Sequence, residues 1–218
     1  MLVGVPKEIK NHEYRVGLTP ISVAELVRHD HQVWVETNAG VGIGCSDADY
    51  QAAGAQIQPS AGAIFAQAQL VVKVKEPQPQ ECQQLRAGQI LFTYLHLAPD
   101  PQQAQLLQAS GCSAIAYETV TATQGGLPLL APMSEVAGRM AIQAGAHYLE
   151  KAQGGRGVLL GGVPGVAPGK VVILGGGMVG SNAAEMALGL GAQVVLLDKD
   201  VNVLRRLTER FGPRLQTL

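Results

Sequence analysis

Lys170-Val171-Val172-Ile173-Leu174-Gly175-Gly176-Gly177-Met178-Val179-Gly180 is the stretch on which the fold reading turns. The run 170–174 predicts a buried strand. It leads into Gly175, Gly177 and Gly180, which carry the spacing G-x-G-x-x-G. In that pattern the first glycine allows a tight turn, the second lets the backbone approach a pyrophosphate, and the third packs helix on strand. A helix is predicted from Ser181 to Leu190, its free N–H groups and positive dipole end facing phosphates. After Gly191 a second strand, Gln193–Leu197, ends in Asp198, 18 residues beyond Gly180. An acid at that place accepts hydrogen bonds from an adenosine ribose. The rival reading is a glycine-rich turn of any doubly wound sheet, and the strand before, helix after and acid beyond speak against it. Asp198 also favours NAD over NADP by repelling a 2′-phosphate, a preference that Lys199 beside it softens.

Upstream, short β-rich runs alternate with helical patterns. Strands are predicted over Leu2–Val5, Val33–Glu36, Gln56–Gln58, Leu70–Val74, Ile90–Tyr94 and Ser113–Tyr117. Thr19-Pro20 and Asp100-Pro101 each read as an N-cap followed by proline at the first helical position, and Ser60 as the cap of a helix running to Ala68. Strands and helices in this alternation imply crossover units and a parallel sheet covered on both faces. The glutamine-rich segments around 78–108 read as solvated faces. From Pro132 to Lys151 the sequence reads as one helix, with Met133, Val136, Met140, Ala144 and Tyr148 at helical spacing. The glycine-rich stretch 154–169 is either a linker or a loop near a bound ligand. The expected fold is α/β: residues 1–131 form a parallel-sheet catalytic domain, 132–169 a linking helix and loop, and 170–218 the first half of a Rossmann domain.

Composition narrows the function. The chain has 218 residues, 47% of them hydrophobic and 15% charged, which excludes a disordered or solvating chain. With 16 basic against 17 acidic residues it offers no basic field for nucleic acid or an anionic membrane. Three scattered cysteines in no CxxC pair read as reduced thiols of a cytoplasmic protein, with no metal expected. No signal peptide or spanning helix is expected.

Three further residues stand at predicted strand ends, where open α/β sheets bind ligands. Lys75 follows Leu70–Val74, His96 lies just past Tyr94, and Arg15 sits in the loop after the first strand. Each has a plain alternative: a solvated strand end with Glu76 as partner, a hydrogen-bonded histidine, and an exposed loop charge among Lys7, Glu8, Lys10 and Glu13. Together they supply a guanidinium for a carboxylate, an ammonium to polarise a carbonyl, and an imidazole for proton transfer. That set suits hydride transfer on a small 2-oxo or 2-amino acid.

The segments GVPKEIKNHEYRVGLTP, VVKVKEP, LFTYLHLAP, AIAYETV, LPLLAPMSEVAGRMAIQAGA, GGRGVLLGGVPGV and KVVILGGGMVG resemble the bacterial, and especially cyanobacterial, alanine dehydrogenases over essentially all of the chain. The resemblance implies NAD-dependent, reversible oxidative deamination of L-alanine to pyruvate and ammonium, by a homo-oligomer. It implies that Arg15 and Lys75 bind the substrate and that His96 is the catalytic acid/base. Ser134, with Met133 close by, would contact the cofactor. Gly175, Gly177, Met178, Val179 and Gly180 would cradle its pyrophosphate, and Asp198 its ribose. The nucleotide-binding part of transhydrogenase is similar too, but lacks a histidine in the segment matching LFTYLHLAP, so His96 with Lys75 favours the dehydrogenase. Relative to the family, this chain reads as ending inside its nucleotide domain, after a strand–helix–strand–helix unit. Low activity of the chain as such is therefore expected. The rival reading is a non-catalytic remnant that binds nucleotide or pairs with intact subunits.

Overall fold

A computed structural model describes all of the chain, Met1–Leu218. It divides into two compact units, Met1–Leu127 and Pro128–Leu218.

The first unit alternates strands and helices in chain order: β1 (Leu2–Val5), α1 (Pro20–Arg28), β2 (Gln32–Glu36), α2 (Asp47–Ala52), β3 (Gln56–Gln58), α3 (Ala61–Gln67), β4 (Leu70–Val72), α4 (Pro79–Cys82), β5 (Ile90–Thr93), α5 (Pro101–Ser110) and β6 (Ser113–Ala116). All pairings are parallel, in the order β3-β2-β1-β4-β5-β6. The chain therefore winds outward from β1 to one side, then returns to build on the other, which makes the β1/β4 junction a topological switch point.

Side-chain alternation sorts the strands onto two faces. Val3, Val5, Val33, Val35 and Val72 pack with Val23 of α1 and Tyr50 of α2. Val71 and Leu91 pack instead with Ile64 and Phe65 of α3, Cys82 of α4 and Leu107 of α5. Thr19 caps α1 through the Ser22 N–H at 3.4 Å, and Asp100 caps α5 through the Gln103 N–H at 3.0 Å. Ser60 precedes α3 but makes no capping hydrogen bond.

The second unit contains α6 (Ala131–Tyr148), β7 (Lys170–Leu174), α7 (Met178–Gly189), β8 (Gln193–Leu197), α8 (Val201–Phe211) and β9 (Leu215–Thr217). Its sheet is parallel in the order β7-β8-β9. Ala183, Ala184 and Ala187 of α7, with Ile173, Val194, Leu196, Leu207 and Phe211, form its core. Small residues let α6 and α7 approach closely: a Cβ on Gly138 would lie 2.3 Å from the Val179 carbonyl oxygen.

Three expectations change. A third strand, β9, follows α8 and closes the far side of β8. The run 170–174 is not buried throughout, since Val172 and Leu174 are 57% and 81% exposed; β7 is the edge of its sheet. The glutamines are not all solvated: Gln89 and Gln103 are buried, and their amides bond the backbone carbonyls of Phe65, Ala68 and Leu95. No helix is long and apolar enough to cross a membrane.

Candidate active site

Within the first unit the switch point gathers charge. The loop after β1 runs beneath the end of β4, because Gly17 sits so close to Val72 that a Cβ there would lie 2.4 Å from its carbonyl oxygen. Arg15 is half-exposed and grips Glu13 with two parallel bonds, Nε to Oε1 at 2.8 Å and Nη2 to Oε2 at 2.6 Å. Such a fork is the geometry with which a guanidinium takes any carboxylate. The Arg15 hydrogen bonds hold the Glu13 carboxyl below its ordinary range despite its burial, and the charge of Lys75 acts in the same direction. Arg15 is in turn held more firmly protonated, chiefly by Glu13. A cleft of about 390 Å³ opens here, lined by Lys7, Glu8, Glu13, Tyr14, Arg15 and Asn38 among others; neither Lys75 nor His96 lines it.

Lys75 is partly buried just beyond β4, and its carbonyl accepts the Thr93 hydroxyl at 2.9 Å. Its neighbour Glu76 pairs with Lys10, so the alternative in which Glu76 serves Lys75 does not hold. His96 is exposed beyond β5, its ring stacked on Tyr94 at 5.8 Å with the planes 14° apart. Tyr94 in turn meets Tyr117 edge-on at 4.9 Å. Burial pushes the Tyr94 hydroxyl up, while Arg15 pulls it down and Glu118 adds to the rise. Arg15 and Glu118 thus both act on Tyr94, His96 acts on Glu118, and Lys75 acts on Glu13.

Other charges here were hidden from the sequence. Glu8 and Glu13 read as exposed loop charges, yet Glu8 is buried and the Glu13 side chain is only 6% exposed. Lys73, two residues before Lys75, is wholly buried between Glu8 (3.2 Å) and Glu81 (2.8 Å). Glu8 also accepts the Val74 N–H at 2.6 Å. Desolvation raises its pKa against the pull of Lys73. This triad ties the β1 loop to the β4 end. Its only sequence signal is the repeated lysine of VVKVKEP, which does not say which lysine turns inward.

In the second unit Gly175, in the left-handed region at φ 97°, turns the chain from β7. Gly180 packs the helix on that turn so tightly that a Cβ would lie 1.9 Å from the Gly175 carbonyl oxygen. Gly177, the N-cap of α7, has open space where a Cβ would be, and no side chain caps the helix. Met178 and Val179 are 47% and 45% exposed in the first turn. Asp198 lies at the end of β8, its Oδ2 accepting the Gly176 N–H at 2.6 Å and its Oδ1 the Asp200 N–H at 2.9 Å. These backbone bonds, Asp200's first, hold its carboxyl below the ordinary range. Ser134 and Met133, both partly buried, lie in the first turn of α6; Ser134 is one turn before Gly138, the residue seated against Val179.

Two family models cover the chain: alanine dehydrogenase/PNT, N-terminal domain, over residues 4–137, and alanine dehydrogenase/PNT, C-terminal domain, over 141–218. The chain belongs to this family. It is 59% identical over 218 residues to an alanine dehydrogenase of Halomonas elongata and 55% identical over 218 residues to that of Bacillus subtilis. All of this chain is covered in both matches, but only 59% and 57% of those relatives. Among solved structures it resembles an L-alanine dehydrogenase at TM-score 0.93 and 56% identity, over 100% of this chain and 60% of that one. A transhydrogenase from Sinorhizobium meliloti shares the fold at TM-score 0.83 and 23% identity, over 100% of this chain and 64% of that one. The chain thus spans about three fifths of the length of the relatives it matches.

Proposed function

We propose that this chain carries the amino-acid-binding face and the pyrophosphate turn of an NAD-dependent alanine dehydrogenase. The observation that supports the proposal is the strand order, which sets the ends of β1, β4 and β5 side by side at the switch point; Arg15, Lys75 and the Tyr94–His96 stack follow those three ends in the chain. The second unit suits a dinucleotide: Gly177 leaves open space at the helix start where a Cβ would stand, and the first turn of α7 keeps its N–H groups free of side-chain caps. Gly175, Gly177, Met178, Val179 and Gly180 would hold the pyrophosphate, Ser134 a neighbouring part of the cofactor, and Asp198 the ribose. The Asp198 charge selects NAD over NADP.

NAD, when bound, would supply the acceptor for a hydride leaving the α-carbon of L-alanine; the amino group, having given one proton to solvent, becomes the imine. Arg15 has the fork to receive the substrate carboxylate, for which Glu13 is the stand-in here. Lys75 stabilises the negative charge that develops on the α-oxygen when the hydroxyl formed by water addition to the imine gives up its own proton and the amine is expelled. His96 takes the proton of that water and returns one to the departing amine, so that pyruvate and ammonium leave. To this protein we extend the setting that the sequence resemblance implies: a homo-oligomer acting on a small molecule in the cytoplasm.

His96→Ala tests the assignment. In a full-length context, alanine-dependent NAD reduction should fall at least about 100-fold, the scale of general acid–base catalysis, while NADH affinity stays unchanged. Turnover equal to that of the unaltered protein would refute the role of His96.

A further inference from the structure

His96 has φ 47°, in the left-handed region that residues other than glycine enter at a steric cost. Something must hold it there. Its N–H donates to Glu118 Oε1 at 2.7 Å, and the Leu95 N–H donates to the same oxygen at 3.0 Å and to Oε2 at 3.2 Å. Two successive backbone N–H groups closing on one anion form a nest, and here the anion is built into the chain. The opposite side of the turn is held as well: the Leu95 carbonyl accepts the amide of buried Gln103 at 2.9 Å. Glu118 comes from the short helical turn Tyr117–Thr119 directly after β6, which pairs with β5, so adjacent strand ends deliver both partners.

We infer that Glu118 is a positioning residue: its carboxylate holds the Leu95–His96 turn in its left-handed form and so aims the His96 imidazole. The inference rests on the catalytic reading of His96 above. Desolvation is the largest influence on Glu118 and raises its pKa. The bonds from His96, its own backbone and Leu95, with the His96 charge, outweigh it, so the carboxyl titrates below its ordinary range and the clamp is anionic near neutrality. An ionised acceptor makes each bond roughly twice as strong as a neutral one would.

The test compares Glu118→Gln, which keeps an acceptor oxygen but not the charge, with Glu118→Ala, which keeps neither. Amide hydrogen exchange is read by NMR on the labelled chain, and kcat and KM from alanine-dependent NAD reduction. In Glu118→Ala the Leu95 and His96 amides should exchange at least about tenfold faster while β5 and β6 amides keep their protection. Kcat should fall about 10–100-fold with KM for NAD unchanged, and Glu118→Gln should lie between. Unaltered exchange at those two amides overturns the inference. So does a kcat within about twofold of the parent, or a loss of protection spread equally through the first unit. If Glu118→Ala does not fold, Glu118→Gln decides by the same two readouts. If the unaltered protein shows no alanine-dependent turnover, the exchange of the two amides alone decides the clamp.

Discussion

Gly177 and Gly180 stand three residues apart in one turn, and the structure separates their roles sharply enough to test by adding a single methyl group to each. An alanine Cβ at Gly180 would lie 1.9 Å from the Gly175 carbonyl oxygen and 3.2 Å from Ile173 Cγ2. Ordinary contact begins near 3.4 Å, so the helix start and the turn must part by about 1.5 Å. Both obstacles belong to β7 or its continuation, and neither is a flexible side-chain end. Overpacking of this kind costs typically 1–3 kcal/mol, and this case belongs at the upper end. For a unit of this size about 3 kcal/mol corresponds to a fall in Tm of roughly 12–24 °C.

At Gly177 the same methyl group meets nothing within 4 Å, and the residue has φ −70°, which alanine adopts freely. Stability should therefore hold to within about 0.5 kcal/mol, the usual range for a surface change. The methyl group stands where the pyrophosphate is proposed to approach the backbone, however, and NADH affinity should fall about 10–100-fold, equivalent to roughly 1.4–2.8 kcal/mol. Thermal unfolding followed by circular dichroism and titration of NADH fluorescence measure the two quantities separately. Equal loss of Tm in both variants, or full NADH affinity in Gly177→Ala, would refute the division of roles.

Asp198→Ala should weaken NADH binding and narrow the preference over NADPH, and cofactor affinities that stay as they were would remove Asp198 from the ribose site. Because Glu13 titrates below its ordinary value of 4.5, the stability it contributes is present above that pH and is lost as pH falls through its lowered folded value. Urea midpoints measured through the acid range should therefore drop, and Glu13→Gln should flatten that drop; an identical acid limb in the variant would show that the Arg15 fork adds nothing. Lys73→Met leaves two buried carboxylates without their cation and should cost about 3–5 kcal/mol in urea unfolding. A cost below about 1 kcal/mol would mean the triad does not anchor the β1 loop.

Much of the molecule was legible before any coordinates, and where it was, the cause is local. Thr19-Pro20 and Asp100-Pro101 start helices because a hydroxyl or carboxylate and a preset φ act within one turn. The spacing of Gly175, Gly177 and Gly180 was readable because each glycine answers to its own turn. Ser60 shows the limit: the residue type suits a cap, but its side chain makes no bond at that position. In the same way 170–174 had the composition of a buried strand, and only its place at the sheet edge exposed it.

The sequence by itself determined the alternating α/β pattern, the glycine turn with its terminal acid, and the types of group at the strand ends. Tertiary structure alone decided the strand order, and through it which charges meet. With β4 laid beside β1, Lys73 is drawn inside between Glu8 and Glu81, while Lys75 stays partly exposed and its charge reaches Glu13. With β6 laid beside β5, Glu118 reaches the N–H groups of a turn 22 residues earlier in the chain. Whether a charge is buried, paired or free depends on what packs against it, and strand pairing across tens of residues sets that.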